Sequence, residues 1–600
     1  MNKIFFLLLF AILQMAAYGQ TTNDKRIVAL EPQLNKLLKD WKAAGFAVAV
    51  VDKNKVIYAK GFGFRDLEKK LPVTTNTLFP IGSCTKAFTS SLIGVLVKEK
   101  LVEFDKPFYS YLPAINFYKP EMTQNITLRD MMSHRTGLPR HDFSWYLFPS
   151  SSRDSLLQRV KYMEPSAGIK DRWQYNNFMF LLQGMVAEKI TGKSWEENIK
   201  TKFFAPLNMN RSNFFTSDMT KDNDAATGYY VKNDSLIKKL PYYEIGSMGP
   251  AGSINSSVME MSNWVRTWIN GGKFNDKEIL HSSYIRDAIS SQMIISPSLP
   301  DKEIPDVFFG NYGFGWFLTS YKGHYMAQHG GNIDGFSANT AFFPTDSIGI
   351  IVLSNQNGSE LPGIVRNMIA DKVLGLNFTD WSGLRKKAAD KAKEAEAEIK
   401  KTSSQKQGTK PTHALKEYTG LYSHPGYGAI EVYLNGDSLM ASVPNKNLWL
   451  KHYHYNIFSS YEKDPEEGID TSAASQLKFN FLINLQGEIN TISTDLEPSL
   501  KSLEFVKRPK EVAMTEASLQ DYVGDFELMG TVIKVYSKGN TLYVHVPGQP
   551  DYELAAEGND KFNLKILNGY SIQFIRDDAK NVISASFIQP NGTFTATKKK

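Results

Sequence analysis

Two apolar runs with strand character stand at opposite ends of roughly residues 30 to 380, and the sequence between them changes period. Phe46-Ala47-Val48-Ala49-Val50-Val51 is followed, across the polar turn Asp52-Lys53-Asn54-Lys55, by Val56-Ile57-Tyr58-Ala59, which reads as a hairpin. Thr340-Ala341-Phe342-Phe343 and Ile348 to Leu353 return to the same character around Pro344-Thr345-Asp346-Ser347. From Ser83 onward, Phe88, Leu92, Ile93, Leu96 and Val97 recur at helical spacing. Phe178, Leu181, Leu182, Met185 and Val186 do so again between Asn177 and Gly192. Strands at both ends with helices between them predict an α+β domain whose terminal strands meet in one sheet.

At 600 residues the chain is too long for one core, and its 42% hydrophobic and 22% charged content is that of a globular protein. The single cysteine, Cys84, excludes an intrachain disulfide framework. A net charge of +7 without a basic stripe argues against a nucleic-acid partner. Met1-Asn2-Lys3, the apolar run Ile4 to Leu13 and the small-x-small site Ala17-Tyr18-Gly19 predict a signal peptide over residues 1–19. The mature chain is then secreted or periplasmic. No later stretch is long and uncharged enough to span a bilayer, so stable membrane insertion is not expected. Lys598-Lys599-Lys600 reads as a solvated end.

Composition shifts over residues 383–411, where Arg385 to Lys401 reads as an exposed charged helix and Thr402 to Pro411 as a polar linker. Beyond it lies an internal repeat. Leu415-x-x-Tyr418-x-Gly420-x-Tyr422 recurs as Leu519-x-x-Tyr522-x-Gly524-x-Phe526, and the segment from Phe481 to Ile489 corresponds to that from Phe574 to Val582. Both copies are short alternating runs separated by Asn-Gly, Gly-Asp and Gly-Asn turns. The pattern predicts two small antiparallel β-barrel-like modules, 412–510 and 511–600, of about eight strands each. They follow a domain spanning 20–382 and are candidates for homo-oligomer contacts.

Three short motifs stand in order in that domain: Ser83-Cys84-Thr85-Lys86, Tyr175-Asn176-Asn177 and His329-Gly330-Gly331. Residues i and i+3 share a helix face, so the lysine amine falls beside the serine hydroxyl. A serine hydroxyl attacks a carbonyl only when a base takes its proton, and lysine is such a base once its pKa is lowered. Alone this spacing is weak, since Ser235-Leu236-Ile237-Lys238 matches it as well. The order of the three motifs is what singles out Ser83.

With those motifs, and with Ile126 to Pro139, Tyr312-Gly313-Phe314-Gly315-Trp316 and Val352-Leu353-Ser354-Asn355, the sequence resembles the serine β-lactamase and penicillin-binding superfamily. It is most similar to the branch of class C β-lactamases, D-aminopeptidases and related esterases (peptidase S12-like). The resemblance covers roughly residues 30 to 375. It implies a β-lactamase/transpeptidase-like catalytic domain, an acyl-enzyme on Ser83, and general-base work shared by Lys86 and Tyr175, the Tyr175 phenol being made acidic by the nearby ammonium. By the same resemblance Asn177 orients the Lys86 amine or the substrate amide, although it could also cap its helix. His329, Gly330 and Gly331 line the site as an edge strand, and the Asn332 N–H is the second oxyanion donor. The implied activity is hydrolysis of a small peptide, D-amino-acid-containing substrates included, or of an ester, without metal or cofactor. The β modules resemble the lipocalin-like domains that follow this domain in D-aminopeptidases.

Histidine stands at position 329 where penicillin-specific members carry lysine. A histidine is a weaker, pH-dependent anion site, which turns the expectation from β-lactam toward peptide or ester. The competing readings are a β-lactamase and a non-catalytic binding or sensing protein with the same fold. His134 reads as a residue of the turn around Gly137, and Cys84 as a packed side chain rather than a reactive thiol. The sequence contains no Gly-x-Ser-x-Gly, no His-Glu-x-x-His and no P-loop.

Overall fold

The computed structural model describes residues 23–599 apart from 296–301, 305, 402–404, 465–467, 472–476, 509–511, 550, 566–569 and 590–591. The expected signal peptide lies outside the described residues. The chain divides into two compact units. One comprises Met1–Gln405 together with Pro425–Gly428 and Asp495–Leu503; the other comprises Lys406–His424, Ala429–Thr494 and Glu504–Lys600.

The first unit is built on a nine-stranded antiparallel sheet. Its strands are β1 (Gly45–Val51), β2 (Val56–Asp66), β3 (Leu71–Pro72), β4 (Met293–Ile294), β5 (Val307–Tyr312), β6 (Phe317–Tyr321), β7 (His324–Ile333), β8 (Phe336–Phe343) and β9 (Ile348–Ser354), in the order β4-β5-β6-β7-β8-β9-β1-β2-β3. The terminal strands do meet: Val48 lies opposite Val352 and Ala47 opposite Leu353. Every residue of β1 is buried, because this strand is covered on both faces and carries apolar side chains at every position. Phe46, Val48, Val50, Ile350 and Val352 face one core with the helices Glu31–Asp40 and Leu361–Val373. Ala47, Ala49, Val51, Ile351 and Leu353 face the other, with the inserted helical region. The alternation of strand side chains thus serves two cores at once.

Within the helical region, α1 (Thr85–Lys98) and α2 (Phe178–Thr191) are largely buried and pack together. Phe88 of α1 stacks on Trp264 at 3.9 Å between ring centroids, which fixes the helix over the sheet. The second helix ends at Gly192, whose φ of 69° is the left-handed conformation that closes many helices. A charged helix, Trp381–Lys401, follows the sheet and is exposed along Lys386–Glu398.

The second unit contains two closed eight-stranded β-barrels. In the first, the strands from Gly420–His424 to Leu503–Arg508 close through the pairing of Lys446–His454 with Ile457–Asp464, and Gly468–Ile469 adds a short ninth strand. In the second, Gly524–Leu528 to Gly592–Lys598 form a continuous ring. The sequence repeat is the same local event twice: a short 3-10 turn, Leu415–Tyr418 or Gln520–Tyr522, leads into the first strand and buries its tyrosine. At the end of the chain Lys598 lies opposite Phe526 in the ring and the Lys599 amide donates to the Asp525 carbonyl at 2.8 Å, so the backbone here joins the barrel ladder while the Lys599 side chain stays exposed.

Candidate functional site

Ser83 sits in a 3-10 turn, Gly82–Cys84, that runs directly into α1. The turn is held from the sheet side. A Cβ on Gly331 of β7 would lie 1.9 Å from the Ile81 carbonyl oxygen and 3.1 Å from the Ser83 nitrogen, and one on Gly82 (φ 51°) would lie 2.8 Å from the Asn332 nitrogen. Only glycine permits this approach. It brings the Ser83 and Asn332 backbone together beside the serine hydroxyl. Cys84, next to Ser83, points away: its thiol donates to the His329 carbonyl, and burial pushes its pKa up to about 12.

Lys86, one helical turn beyond Ser83, is fully buried with Nζ 2.9 Å from Ser83 Oγ and 2.7 Å from the Ala251 carbonyl oxygen. Burial holds this amine well below the ordinary lysine range. Asp142 pulls it upward and Arg140 downward, and neither offsets the loss of solvent. Lys86 Nζ thus donates to both the Ala251 carbonyl oxygen and Ser83 Oγ, in surroundings that disfavour its charged form.

Tyr175 lies with its ring centroid 4.9 Å from Lys86 Nζ. Its phenol departs from the expectation of an acidic group. Burial raises its pKa above the ordinary tyrosine value, although hydrogen bonding to Ser83 and the charge of Arg140 work the other way. The physical reason is desolvation, which outweighs both effects at a fully enclosed ring. His134 holds the tyrosine backbone on both sides: its carbonyl accepts the Gln174 amide at 2.8 Å and its Nδ1 accepts the Asn176 amide at 3.1 Å. The two rings are 4.3 Å apart. His134, read from sequence as a turn residue, is thus a bracket for Tyr175.

Asn177 stands at the N-terminal cap position of α2, but its side chain makes no capping bond. Its Nδ2 donates to Asp142 Oδ1 at 2.8 Å, and the Met179 amide is accepted by Asn176 instead. Of the roles expected for Asn177, the helix cap passes to its neighbour and the Lys86 contact passes to Ala251.

His329 is fully buried and hydrogen-bonded at both nitrogens. Nδ1 lies 2.6 Å from the Gly330 carbonyl oxygen, which only an N–H can satisfy, so Nε2 accepts from the Tyr312 hydroxyl at 2.8 Å. Burial, with the nearby Lys86, pushes its pKa down to about 3. The expected pH-dependent anion site is therefore absent: this imidazole is neutral, and both of its polar atoms are committed inside the protein.

These groups open on a cleft of about 910 Å³. Ser83, Tyr175, Asn177, His329, Gly330, Gly331 and Asn332 all line it. Its far wall is aromatic, with Tyr146 and Tyr243 stacked at 5.0 Å. Two of its polar residues, Arg140 and Asp142, had no motif to announce them. The Arg140 guanidinium lies 4.7 Å from the Tyr175 ring centroid, and its Nε donates to Asp142 at 2.6 Å. Among the described residues no group of three or more His, Cys, Asp or Glu is placed to hold a metal ion. Nor is any helix among them long and apolar enough to cross a membrane.

Comparison with known proteins places the first domain in a family. The family described as beta-lactamase matches residues 33–374, and a domain of unknown function (DUF3471) matches residues 404–507. The chain is 27% identical over 433 residues to the unguisins hydrolase UngD of Aspergillus violaceofuscus, covering 68% of this chain and 76% of that one. It is 22% identical over 349 residues to protein Flp of Staphylococcus aureus, covering 58% of this chain and 66% of Flp. A penicillin-binding protein homologue from Pyrococcus abyssi, described as octameric, shares the fold with a TM-score of 0.54 at 22% identity, covering 80% of this chain and all of that one. With a family match over more than half its length, and with the ordered motifs gathered in one cleft, the chain belongs to the beta-lactamase family, the serine β-lactamase-fold hydrolases.

Proposed function

We propose that this protein is an exported acyl-serine hydrolase that cleaves a peptide or ester through an acyl-enzyme on Ser83. The observation that carries the reading is the 2.9 Å separation of a fully buried Lys86 amine, its pKa lowered by that burial, from Ser83 Oγ. An amine so lowered gives up its own proton readily and is available as a base. Lys86 takes the serine proton as Oγ bonds to the substrate carbonyl carbon. The oxygen charge that develops is met by the backbone N–H groups of Ser83 and Asn332. Collapse of the tetrahedral intermediate breaks the bond to the amine or alkoxide. The proton held on Lys86 passes to that leaving group through Tyr175, whose raised pKa keeps the phenol protonated and able to donate. Water then attacks the acyl carbon by the reverse route and frees Ser83.

The neutral His329 supports a peptide or ester over a β-lactam, because no cation stands at that position to meet a ring carboxylate. The aromatic wall favours an apolar side chain or acyl group. The fungal relative is named as a hydrolase, in keeping with turnover rather than mere binding. Export rests on the basic start, apolar run and small-x-small site of residues 1–19.

Labelling with a fluorophosphonate tests the reading. The wild-type chain is expected to be acylated and Ser83→Ala to stay unlabelled; a folded wild-type chain that reacts with neither a fluorophosphonate nor a fluorescent penicillin would overturn it. A panel of D-amino-acid peptides, acyl esters and a chromogenic cephalosporin then identifies the substrate class. Turnover of peptides or esters above the cephalosporin is the expected result.

A further inference from the structure

The tripeptide Arg140-His141-Asp142 is a wall of the cleft whose middle residue faces inward. Arg140 covers the Tyr175 ring, and Asp142 receives Asn177 Nδ2 together with Trp145 Nε1 at 2.9 Å. His141 between them is fully buried and holds a φ of 48°, a left-handed conformation uncommon for a residue with a side chain.

Its surroundings come from far along the chain. The segments Pro425–Gly428 and Asp495–Leu503 belong to the same compact unit as the cleft. The His141 amide donates to Glu497 Oε2 at 2.8 Å. Its Nε2 lies 3.0 Å from the Glu164 carbonyl oxygen and so carries the proton, which leaves Nδ1 to accept from the Tyr427 hydroxyl at 2.8 Å. Ser144, two residues past Asp142, donates to the Gly426 carbonyl at 2.6 Å. Gly428 packs so closely that a Cβ there would lie 2.7 Å from the Phe148 ring. Tyr427 and Glu497 are themselves buried. Every polar atom of His141 that points inward is therefore spoken for, two of them by these segments.

We propose that Tyr427 and Glu497 are positioning residues for the hydrolytic site: by clamping His141 in its left-handed conformation they set Arg140 against Tyr175 and Asp142 against Asn177. The inference rests on the reading of Ser83 as the nucleophile. Neither residue touches the reacting atoms. They act through the backbone of one tripeptide, whose two flanking side chains rest on Tyr175 and Asn177. Catalytic geometry in the first 400 residues is then set in part by hydrogen bonds from positions 427 and 497.

The test uses the full-length chain and the rate of fluorophosphonate labelling, read beside the thermal midpoint. Tyr427→Phe removes one hydroxyl without altering ring packing, and Glu497→Ala removes the acceptor of the His141 amide. Each is expected to slow labelling by about tenfold in folded protein, as sub-ångström displacement of positioned groups does. Glu497→Gln, which keeps an oxygen acceptor, is expected to recover at least about a third of the wild-type rate, a rescue that a purely electrostatic role of the carboxylate would not give. Arg140→Ala combined with Tyr427→Phe is expected to be no slower than about twofold below the worse single variant, because both changes break the same arrangement. Labelling of folded Tyr427→Phe and Glu497→Ala within twofold of wild type would overturn the proposal, as would fully additive losses with Arg140→Ala. Should one single variant fail to fold, the other decides. An unlabelled wild-type chain would instead count against Ser83 as nucleophile, so the two failures are distinct.

Discussion

Tyr312 of β5 donates its hydroxyl proton to Nε2 of His329 on β7 across 2.8 Å, reaching over the intervening strand β6. The bond makes His329 a fixed, neutral member of the wall rather than a charge that answers to pH. Its consequence can be read thermodynamically. The folded pKa of about 3 lies below the ordinary value of 6.5, so the unfolded chain takes up a proton that the folded chain refuses. Stability from this group is complete above about pH 6.5 and declines as pH falls toward 3. The slope is about 1.4 kcal/mol per pH unit for one such group. Denaturant unfolding between pH 7 and pH 4 is expected to show this decline, and His329→Gln to flatten it by about one proton. An unchanged slope in the variant would mean that His329 is charged in the native state.

Lys86 is expected to be indispensable through its lone pair. Lys86→Ala should slow acylation by about 10²–10⁴-fold, the usual contribution of a positioned base. Binding of a substrate analogue, measured by calorimetry, should change far less. Equal losses in rate and binding would assign Lys86 a binding role instead.

The two glycines of β7 separate close packing from substrate approach. Gly331→Ala would drive a methyl group into the Ile81 carbonyl and is expected to abolish fluorophosphonate labelling, with a stability loss of about 1–3 kcal/mol or more. At Gly330 the nearest atoms to an added Cβ are 3.7 Å away, so Gly330→Ala should fold and label normally. If an extended substrate runs along this strand, Gly330→Ala raises KM for peptides while leaving labelling alone. Equal behaviour of the two variants in the labelling assay would contradict this account.

His134 brackets Tyr175, and its removal should therefore be felt at the phenol. His134→Ala leaves the Asn176 amide without its acceptor, which costs about 1–3 kcal/mol when buried, and loosens the ring packed 4.3 Å away. A lower thermal midpoint together with roughly tenfold slower labelling is expected. Loss of stability without loss of rate would confine His134 to the turn around Gly137.

The sequence made some of this site legible and not the rest, for identifiable reasons. Ser83 and Lys86 were visible because helical spacing is local, and Tyr175 and His329 because their motifs follow in order. The protonation states were not visible, since they depend on burial. The phenol expected to be acidified is instead raised by its own burial, and enclosure beside the Ala251 carbonyl lowers the Lys86 amine. Arg140 and Asp142 fall in none of the motifs, because nothing in a single charged side chain reports which ring it will cover. Tyr427 and Glu497 carried no local signal either: their partner His141 is 286 and 356 positions away. The α+β sheet was legible at its ends, where β1 and β9 are apolar at nearly every position. The short β3 and β4 strands carry too few residues for any period to show.

The pairing of β1 with β9 also governs when this protein can fold. Gly45 and Ser354 are 309 positions apart, yet their strands are neighbours near the middle of the sheet. At a synthesis rate of about 5–20 residues per second, β1 waits roughly 15–60 s after leaving the ribosome before its partner exists. During that interval its row of backbone groups and its wholly apolar side chains have only the β2 hairpin for cover. A nascent chain in this condition is a natural client for a holding chaperone, and its slowest folding step is set by the arrival of β9 rather than by any local turn.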